Sequence, residues 1–561
     1  MNRVAWCRFP LPALAVLVLS TGCGSSSEVV ADDAAVHEIP VDAPSEVPAD
    51  IPAETAIEDA TDGEIAPVDA PEDDAQPGDV ATDTDAPRPP DPAMRLRNAG
   101  WLSGDLHQHT TYSDGEDPVR VAVRIAEYLR DPAFLAFHPE YEGNAIDFAA
   151  ITDHRTVDQN ADPDFHSDSL VLIPGEEFGG PGHAGIWGLS AFVSHDPGGD
   201  GSTLEDYAGG VDAAHAQGAL FAMNHPMIPG HLFGWDLRHH DAIEVWNTRW
   251  LLQGMTFPED QAAWEAAHGP ISPFASKAIG YQDDGGGGQV LRFYEAQLAL
   301  GIHVALVGGS DRHVLFPVGF PSTWVKAATR DMAGVLDGIR ARHTFVTRSP
   351  VSATVELSMQ VDGTAYEMGD EVPIPPGGAD VVVTCRVTRA TGARVRLVRG
   401  GRVATEADLP AATLGQVAFE ATADDDDYEA AATLSFQPGD WLYPVVHQPM
   451  IAPGLDPALA AQAQTVAGKA SQYSDENYAP IIEALLPYMD TDVVLAPEMC
   501  DPADWIASDL QCMTADDNGM ATFFLPDWID RILNGVVEGG QASSWSMGAV
   551  GSAVRFVARP E

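Results

Sequence analysis

The chain runs to 561 residues with a formal net charge of −55, from 84 acidic against 29 basic side chains. That length exceeds one domain of ordinary size. With so few cations, and no basic stripe to displace counterions from a phosphate backbone, the composition excludes nucleic acid as a partner.

Residues 1–22 set arginines at positions 3 and 8 before an apolar stretch from Leu11 to Leu19. The stretch is too short to stay as a membrane span. With Ser20-Thr21-Gly22-Cys23 behind it, the segment resembles a bacterial secretory signal ending in a lipobox. The resemblance implies export and a lipidated Cys23, whose several acyl chains would anchor the protein to a membrane. Residues 23–95 follow as a run of Asp, Glu, Ala, Pro and Thr, with nineteen acidic residues between Glu28 and Asp85 and no basic residue before Arg88. Such a segment cannot bury enough apolar surface to fold, and like charges extend it, so it reads as a tether.

The next predicted elements carry chemistry. Trp101 and Leu102 open a strand that leads into Asp105-Leu106-His107-Gln108-His109, and Ser113-Asp114-Gly115 follows in a loop. Residues two apart on a strand point the same way, so His107 and His109 can grip one ion. Four further apolar runs end in the same manner. Ala145 to Ile151 leads to Asp153 and His154; Leu170 to Ile173 leads to Glu176 and Glu177, with His183 in a Gly-rich turn. Ala219 to Met223 leads to His225, and Val304 to Val307 leads to Asp311, Arg312 and His313. Packing does not require that five strands each end in a side chain able to bind metal.

This ordered set, HxH, SDG, TDH, GEE with a later GH, NHP and GSDxH, resembles the polymerase and histidinol phosphatase (PHP) superfamily of metallohydrolases, in its CehA-like branch. The resemblance covers residues 98–347 and implies an α/β fold, a distorted seven-stranded β/α barrel spanning residues 96–348, holding two or three divalent ions. It assigns His107, His109, Glu177 and Asp311 to a first ion. Glu177 would bridge to a second ion completed by His183 and His225, and Asp114, His154 and His313 would hold a third. Imidazole and carboxylate ligands suit Zn, Mn or Fe. A water held between two such ions ionises near neutral pH, and the ions neutralise charge on a substrate oxygen.

Phosphoester hydrolysis of a small-molecule ester is the first expectation. Carboxyl-ester, amide or carbamate hydrolysis on the same site is a second, and a surface-binding protein with structural metals a third. Glu177, Asp311, Arg155 and Arg312 are the candidate catalytic residues, the arginines because guanidinium forks match phosphate oxygens. Asp105 and Asp153 stand beside ligand positions and either orient ring N–H groups or cap the loops. Glu244 either faces the pocket or forms a salt bridge in the barrel wall. Trp250 to Gln297 interrupts the strand pattern and reads either as an insertion over the pocket or as a disordered excursion.

Beyond residue 348 short β-runs, among them Val351–Leu357, Val381–Val387, Ala393–Val398, Ala430–Phe436 and Trp441–Val446, predict a β-sandwich-like domain over 349–561. Residues 453–534 read as an insertion into it, and Ser546–Val557 as a closing strand. Asp424 to Asp427 reads as an exposed acidic turn. Cys500 and Cys512 are near enough to pair in an exported protein, and Cys385 reads as a buried small hydrophobe. The sequence carries no signal of oligomeric state.

Overall fold

Runs that are apolar on every residue predict strands covered on both faces, and these form the centre of the molecule. The computed structural model describes residues 91–561, apart from 92, 116, 136–138, 180–181, 199–203, 227–237, 248–287, 314–317, 406–407, 410–413, 450–493, 496–519, 522–544 and 561. The signal, most of the tether, Cys500, Cys512 and nearly all of the 453–534 insertion lie outside the described residues. Among the described residues no helix is long and apolar enough to cross a membrane.

Nine strands make the first half: β1 (Trp101–Asp105), β2 (Phe148–Ile151), β3 (Val171–Gly179), β4 (His183–Trp187), β5 (Leu220–Met223), β6 (Ala242–Asn247), β7 (Ala305–Gly309), β8 (Ser322–Lys326) and β9 (Thr344–Thr347). They pair in the order β9-β8-β1-β2-β3-β4-β5-β6-β7. The pairs β1/β2, β2/β3, β5/β6 and β6/β7 are parallel. By contrast β4 is antiparallel to both β3 and β5; to β3 because the few residues between Gly179 and His183 suffice for a hairpin but not for a crossover. The sheet is therefore mixed.

Among the described residues no backbone ladder closes it into the expected seven-stranded barrel. The outer edge of β7 is satisfied by hydroxyls. Thr323 Oγ1 bonds Gly308 N at 2.8 Å and Gly308 O at 2.7 Å. Thr344 Oγ1 donates to Leu306 O at 2.7 Å, and Ser552 Oγ accepts from Leu306 N at 2.9 Å. No edge polar group of β7 at these positions is left to water.

Helices cover this sheet. Asp91 and Ala93, ahead of residue 96, already belong to the fold: Ala93 is buried, Arg389 donates to Asp91 at 2.9 Å, and the short α1 (Met94–Asn98) follows. The longer ones among the described residues are α2 (Val119–Tyr128), α3 (Leu204–Ala216), α4 (Gly288–Ala299) and α5 (Met332–Arg340). Asp331 caps α5 by accepting from Gly334 N at 2.8 Å, which satisfies one of the donors a helix start leaves open. In α4, Leu291, Tyr294 and Leu298 are buried in the main core. The end of the expected insertion is thus core helix leading into β7, because its apolar side chains recur at helical spacing.

The second half is all β: β10 (Thr354–Val361), β11 (Thr364–Glu367), β12 (Glu371–Ile374), β13 (Ala379–Thr388), β14 (Arg394–Gly400), β15 (Gln416–Thr422), β16 (Asp427–Phe436), β17 (Trp441–Pro449), the two-residue β18 (Val494–Leu495) and β19 (Met520–Ala521), β20 (Trp545–Gly551) and β21 (Val554–Ala558). One sheet, β11-β10-β13-β16, stands alone. The strands β12, β14, β15, β17, β20 and β21 continue the large sheet beyond β9, giving it fifteen strands. The two layers share a core of Val355, Leu357, Val383, Cys385, Leu397, Val446 and Phe556. Burial pushes the Cys385 thiol up to about 12, as befits a packed hydrophobe. Asp427 pairs with Arg386 and Asp426 accepts from Thr391 Oγ1 at 2.5 Å, so this acidic turn is tied to its own sheet.

Candidate metal centre

The C-terminal ends of the parallel strands, with the N-terminal end of the antiparallel β4 at His183, bring the nine predicted ligand residues together. β1 ends at Asp105, and His107 and His109 stand on its extended continuation, not on the strand. Two neighbours hold that continuation: Thr152 N donates to Gln108 O at 2.8 Å, Asp311 N to His107 O at 2.9 Å, and His109 N to Arg312 O at 2.8 Å. Alternation still turns both rings to one side, with their Nε2 atoms 3.1 Å apart. At Gly309 a Cβ would lie 2.3 Å from His107 Cβ. Only glycine there lets the ring in.

Glu177 sits at the middle. Its carboxylate is 3.0 Å from His107 Nε2, 3.0 Å from His154 Nδ1, 3.2 Å from His225 Nε2, 3.4 Å from His109 Nε2 and 3.5 Å from His183 Nδ1. Glu176, one residue earlier on β3, points to the opposite face, where Val193 N donates to it at 3.1 Å and burial raises its pKa to about 8. Asp311 Oδ1 reaches His109 Nε2 at 3.1 Å and His107 Nε2 at 3.3 Å. On the outer side, Asp114 Oδ1 lies 3.1 Å from His313 Nε2 and 3.6 Å from His154 Nε2. Exposure rises in the same direction, from 1% at the Glu177 side chain through 13% at His313 to 54% at Asp114. Among the described residues the cluster is most open at Asp114.

Four overlapping groups have ligand atoms within 4.8 Å of one another: His107, His109 and Glu177; His107, His225 and Asp311; His154, Glu177 and His183; His109, Asp114, His154 and His313. Among the described residues, every such group lies here. Burial works against charge on Glu177 and Asp311, yet the facing imidazoles hold both well below the usual carboxylate range. Burial likewise opposes a proton on His107, but Asp311, Glu177 and Glu244 outweigh it and raise its pKa. His109 is pushed down to about 3 by burial, keeping the neutral lone pair that a metal ligand needs.

These residues fit divalent ions. Glu177 Oε2 is buried and accepts no hydrogen bond of good geometry, although two imidazole nitrogens approach it within 3.4 Å. Two Nε2 atoms face each other across the pocket. Carboxylate oxygens and imidazole nitrogens crowded into a buried space need positive charge among them, whether protons or a metal, and a nitrogen and oxygen donor set is one that divalent metals accept.

Three strain points occur at the strand ends: Arg155, His225 and Asp311 have φ of 54°, 27° and 51°. Non-glycine residues in that region cluster at functional sites.

Outer contacts settle several open readings. Asp105 accepts from His107 N at 3.1 Å, Ser310 N at 3.0 Å and Gly319 N at 2.9 Å. Asp153 accepts from Thr110 N at 2.7 Å and Ser113 Oγ at 2.6 Å. Both hold loops and neither holds a ring N–H. Glu244 faces the pocket: Oε1 is 3.0 Å from His107 Nδ1, and Oε2 accepts from His225 N at 2.9 Å and Asn247 Nδ2 at 3.0 Å. Asn224 and Asn247, which sequence reasoning passed over, donate to Glu177 Oε1 at 2.9 Å and Asp311 Oδ2 at 3.2 Å. Asn224 was visible only as the residue before His225. The two arginines differ. Arg312 is buried and its guanidinium pairs with Asp117, whereas Arg155 is exposed at the rim.

Glu244→Gln keeps the shape but removes the acceptor charge that fixes His107 with Nε2 toward the pocket. Outer partners of this kind are worth about 10- to 100-fold in metal affinity. That loss is the expected result of a chelator-competition titration, with thermal unfolding of the metal-free protein nearly unchanged. Unaltered affinity would remove Glu244 from this role.

Neither a family model nor a curated protein matches the sequence. Two solved structures are similar to it. One is a two-domain protein containing a predicted PHP-like metal-dependent phosphoesterase, from Bacteroides vulgatus ATCC 8482, with 17% identity and a TM-score of 0.27, over 62% of this chain and 90% of that one. The other is PsfC from Pseudomonas syringae PB-5123, with 16% identity and a TM-score of 0.28, over 44% of this chain and 90% of that one.

Proposed function

We propose that the chain is a metal-dependent hydrolase of small-molecule phosphoesters. The observation that carries this reading is one buried carboxylate, Glu177, within 3.5 Å of five imidazoles, at an end of the sheet that opens to solvent. His107, His109, Glu177 and Asp311 would hold one ion, Glu177, His183 and His225 a second, and Asp114, His154 and His313 a third. Bound there, such ions supply a hydroxide near neutral pH and neutralise charge on a phosphoryl oxygen. The protein's own part is orientation: Glu244 fixes the His107 ring, Asn224 and Asn247 fix the two buried carboxylates, and Glu177 and Asp311 are buried. The first 23 residues support export and a lipid anchor as the setting.

The test is metal analysis of the purified full-length chain, paired with turnover of generic phosphomonoester, phosphodiester and carboxyl-ester substrates. Two or more ions per chain and phosphoester turnover are expected. Carboxyl-ester turnover alone would transfer the site to the second reading, and a protein that takes up no divalent ion would overturn the reading altogether.

A further inference from the structure

Arg155 follows His154 directly, and its left-handed backbone, φ 54°, is held by an N–H bond to Glu177 O at 3.0 Å. That turn carries the guanidinium back across the β3–β4 hairpin. From the point a Cβ on Gly179 would occupy, Arg155 Nε is 3.0 Å away, Arg155 Nη2 3.5 Å and His183 Cδ2 3.6 Å. Gly179 is thus a seat: the guanidinium lies over a residue without a side chain, beside a ring of the cluster. Among the described residues no carboxylate pairs with it. Its counterpart Arg312 is buried on Asp117. An exposed, unneutralised fork held by strain next to His154 and His183, in a chain of charge −55, calls for an anionic ligand.

We propose that Arg155 is the specificity-determining residue of the site, gripping two terminal oxygens of a phosphomonoester dianion and so selecting monoesters over diesters. The inference rests on the phosphoesterase reading. A planar guanidinium binds two oxygens of one group in parallel. A monoester keeps terminal oxygens beyond those facing the cluster and carries the second negative charge. A diester gives up one of those oxygens to its second arm and is only a monoanion, so the fork gains less from it.

The experiment compares the metal-loaded full chain with Arg155→Ala, Arg155→Lys and Gly179→Ala, using 4-nitrophenyl phosphate, bis(4-nitrophenyl) phosphate and, for binding without turnover, calorimetric titration with inorganic phosphate. Hydrogen bonds to charged groups predict that Arg155→Ala raises the monoester KM and the phosphate Kd by about tenfold to a hundredfold, with diester kcat/KM moved less than about twofold. Metal content and melting temperature should stay put, since Arg155 is exposed. Lys should recover part of the loss by restoring charge without the fork, and Gly179→Ala, whose Cβ would lie 3.0 Å from Arg155 Nε, should displace the fork slightly and give a smaller loss of the same kind.

Equal losses on both esters, or phosphate binding unchanged in Arg155→Ala, would overturn the proposal while wild-type turnover keeps the phosphoesterase reading intact. A wild type that turns over neither ester, yet loses phosphate affinity on Arg155→Ala, would fail the reading and keep the dianion grip. Absence of both turnover and phosphate binding in the wild type would sink both.

Discussion

Glu177→Gln should lower the bound metal by at least one ion per chain and reduce turnover by at least about a hundredfold, since losing a ligand shared by several groups exceeds the effect of losing an outer partner. The geometry explains the size. One carboxylate is the common neighbour of His107, His109, His154, His183 and His225, and the amide keeps its shape while giving up its charge. Without that negative charge between them, two cations held by the surrounding imidazoles repel each other uncompensated. Elemental analysis after gel filtration reads the first quantity and steady-state rates read the second. Wild-type stoichiometry in the variant would end the assignment of Glu177 as the central ligand.

The second large effect concerns stability. Arg312 and Asp117 form a pair in which both side chains are about 1% exposed. Thr111 N also donates to Asp117 O at 3.0 Å, so the pair ties the loop carrying Asp114 to the turn carrying Asp311 and His313. Breaking a buried pair by removing one partner costs about 3–5 kcal/mol, because the other charge stays buried. Asp117→Asn and Arg312→Met should each lose that much in denaturant unfolding of the metal-free protein. The double variant with Asp117→Leu and Arg312→Met should recover much of it, since apolar replacement of both partners is often neutral. Single variants within about 1 kcal/mol of wild type would show that the pair does not clamp the loop.

The legibility of the chain followed burial. Runs such as Phe148–Ile151 and Ala305–Gly309 are buried on every residue and were readable as strands, as was the grouping of polar side chains at their ends. Strands without that contrast were not. His183–Trp187 reads as a turn until its hairpin pairing with β3 is known, and Ser322–Lys326 and Thr344–Thr347 owe their strand form to neighbours distant in sequence. Ser546–Val557 reads as one strand, but Ser552 and Ala553 break it. At the site, residue types identified the candidate ligands, while their supporting contacts stayed hidden. Nothing in the spacing distinguishes Arg155 from Arg312. Only the fold turns one to solvent and buries the other on Asp117. Asn224 and Asn247 carry no motif of their own and become visible only through what they touch.

The hydroxyl-satisfied edge of β7 bears on the order of events when the chain is made. Leu306 and Gly308 find their outer partners at residues 323, 344 and 552, so the outer edge of the strand that presents Asp311 is completed only by a residue synthesised more than two hundred positions later. Contacts of such long sequence separation form slowly, and synthesis proceeds from the N-terminus. The histidines of the first strands therefore emerge well before the strand carrying the carboxylate opposite them has both of its edges satisfied.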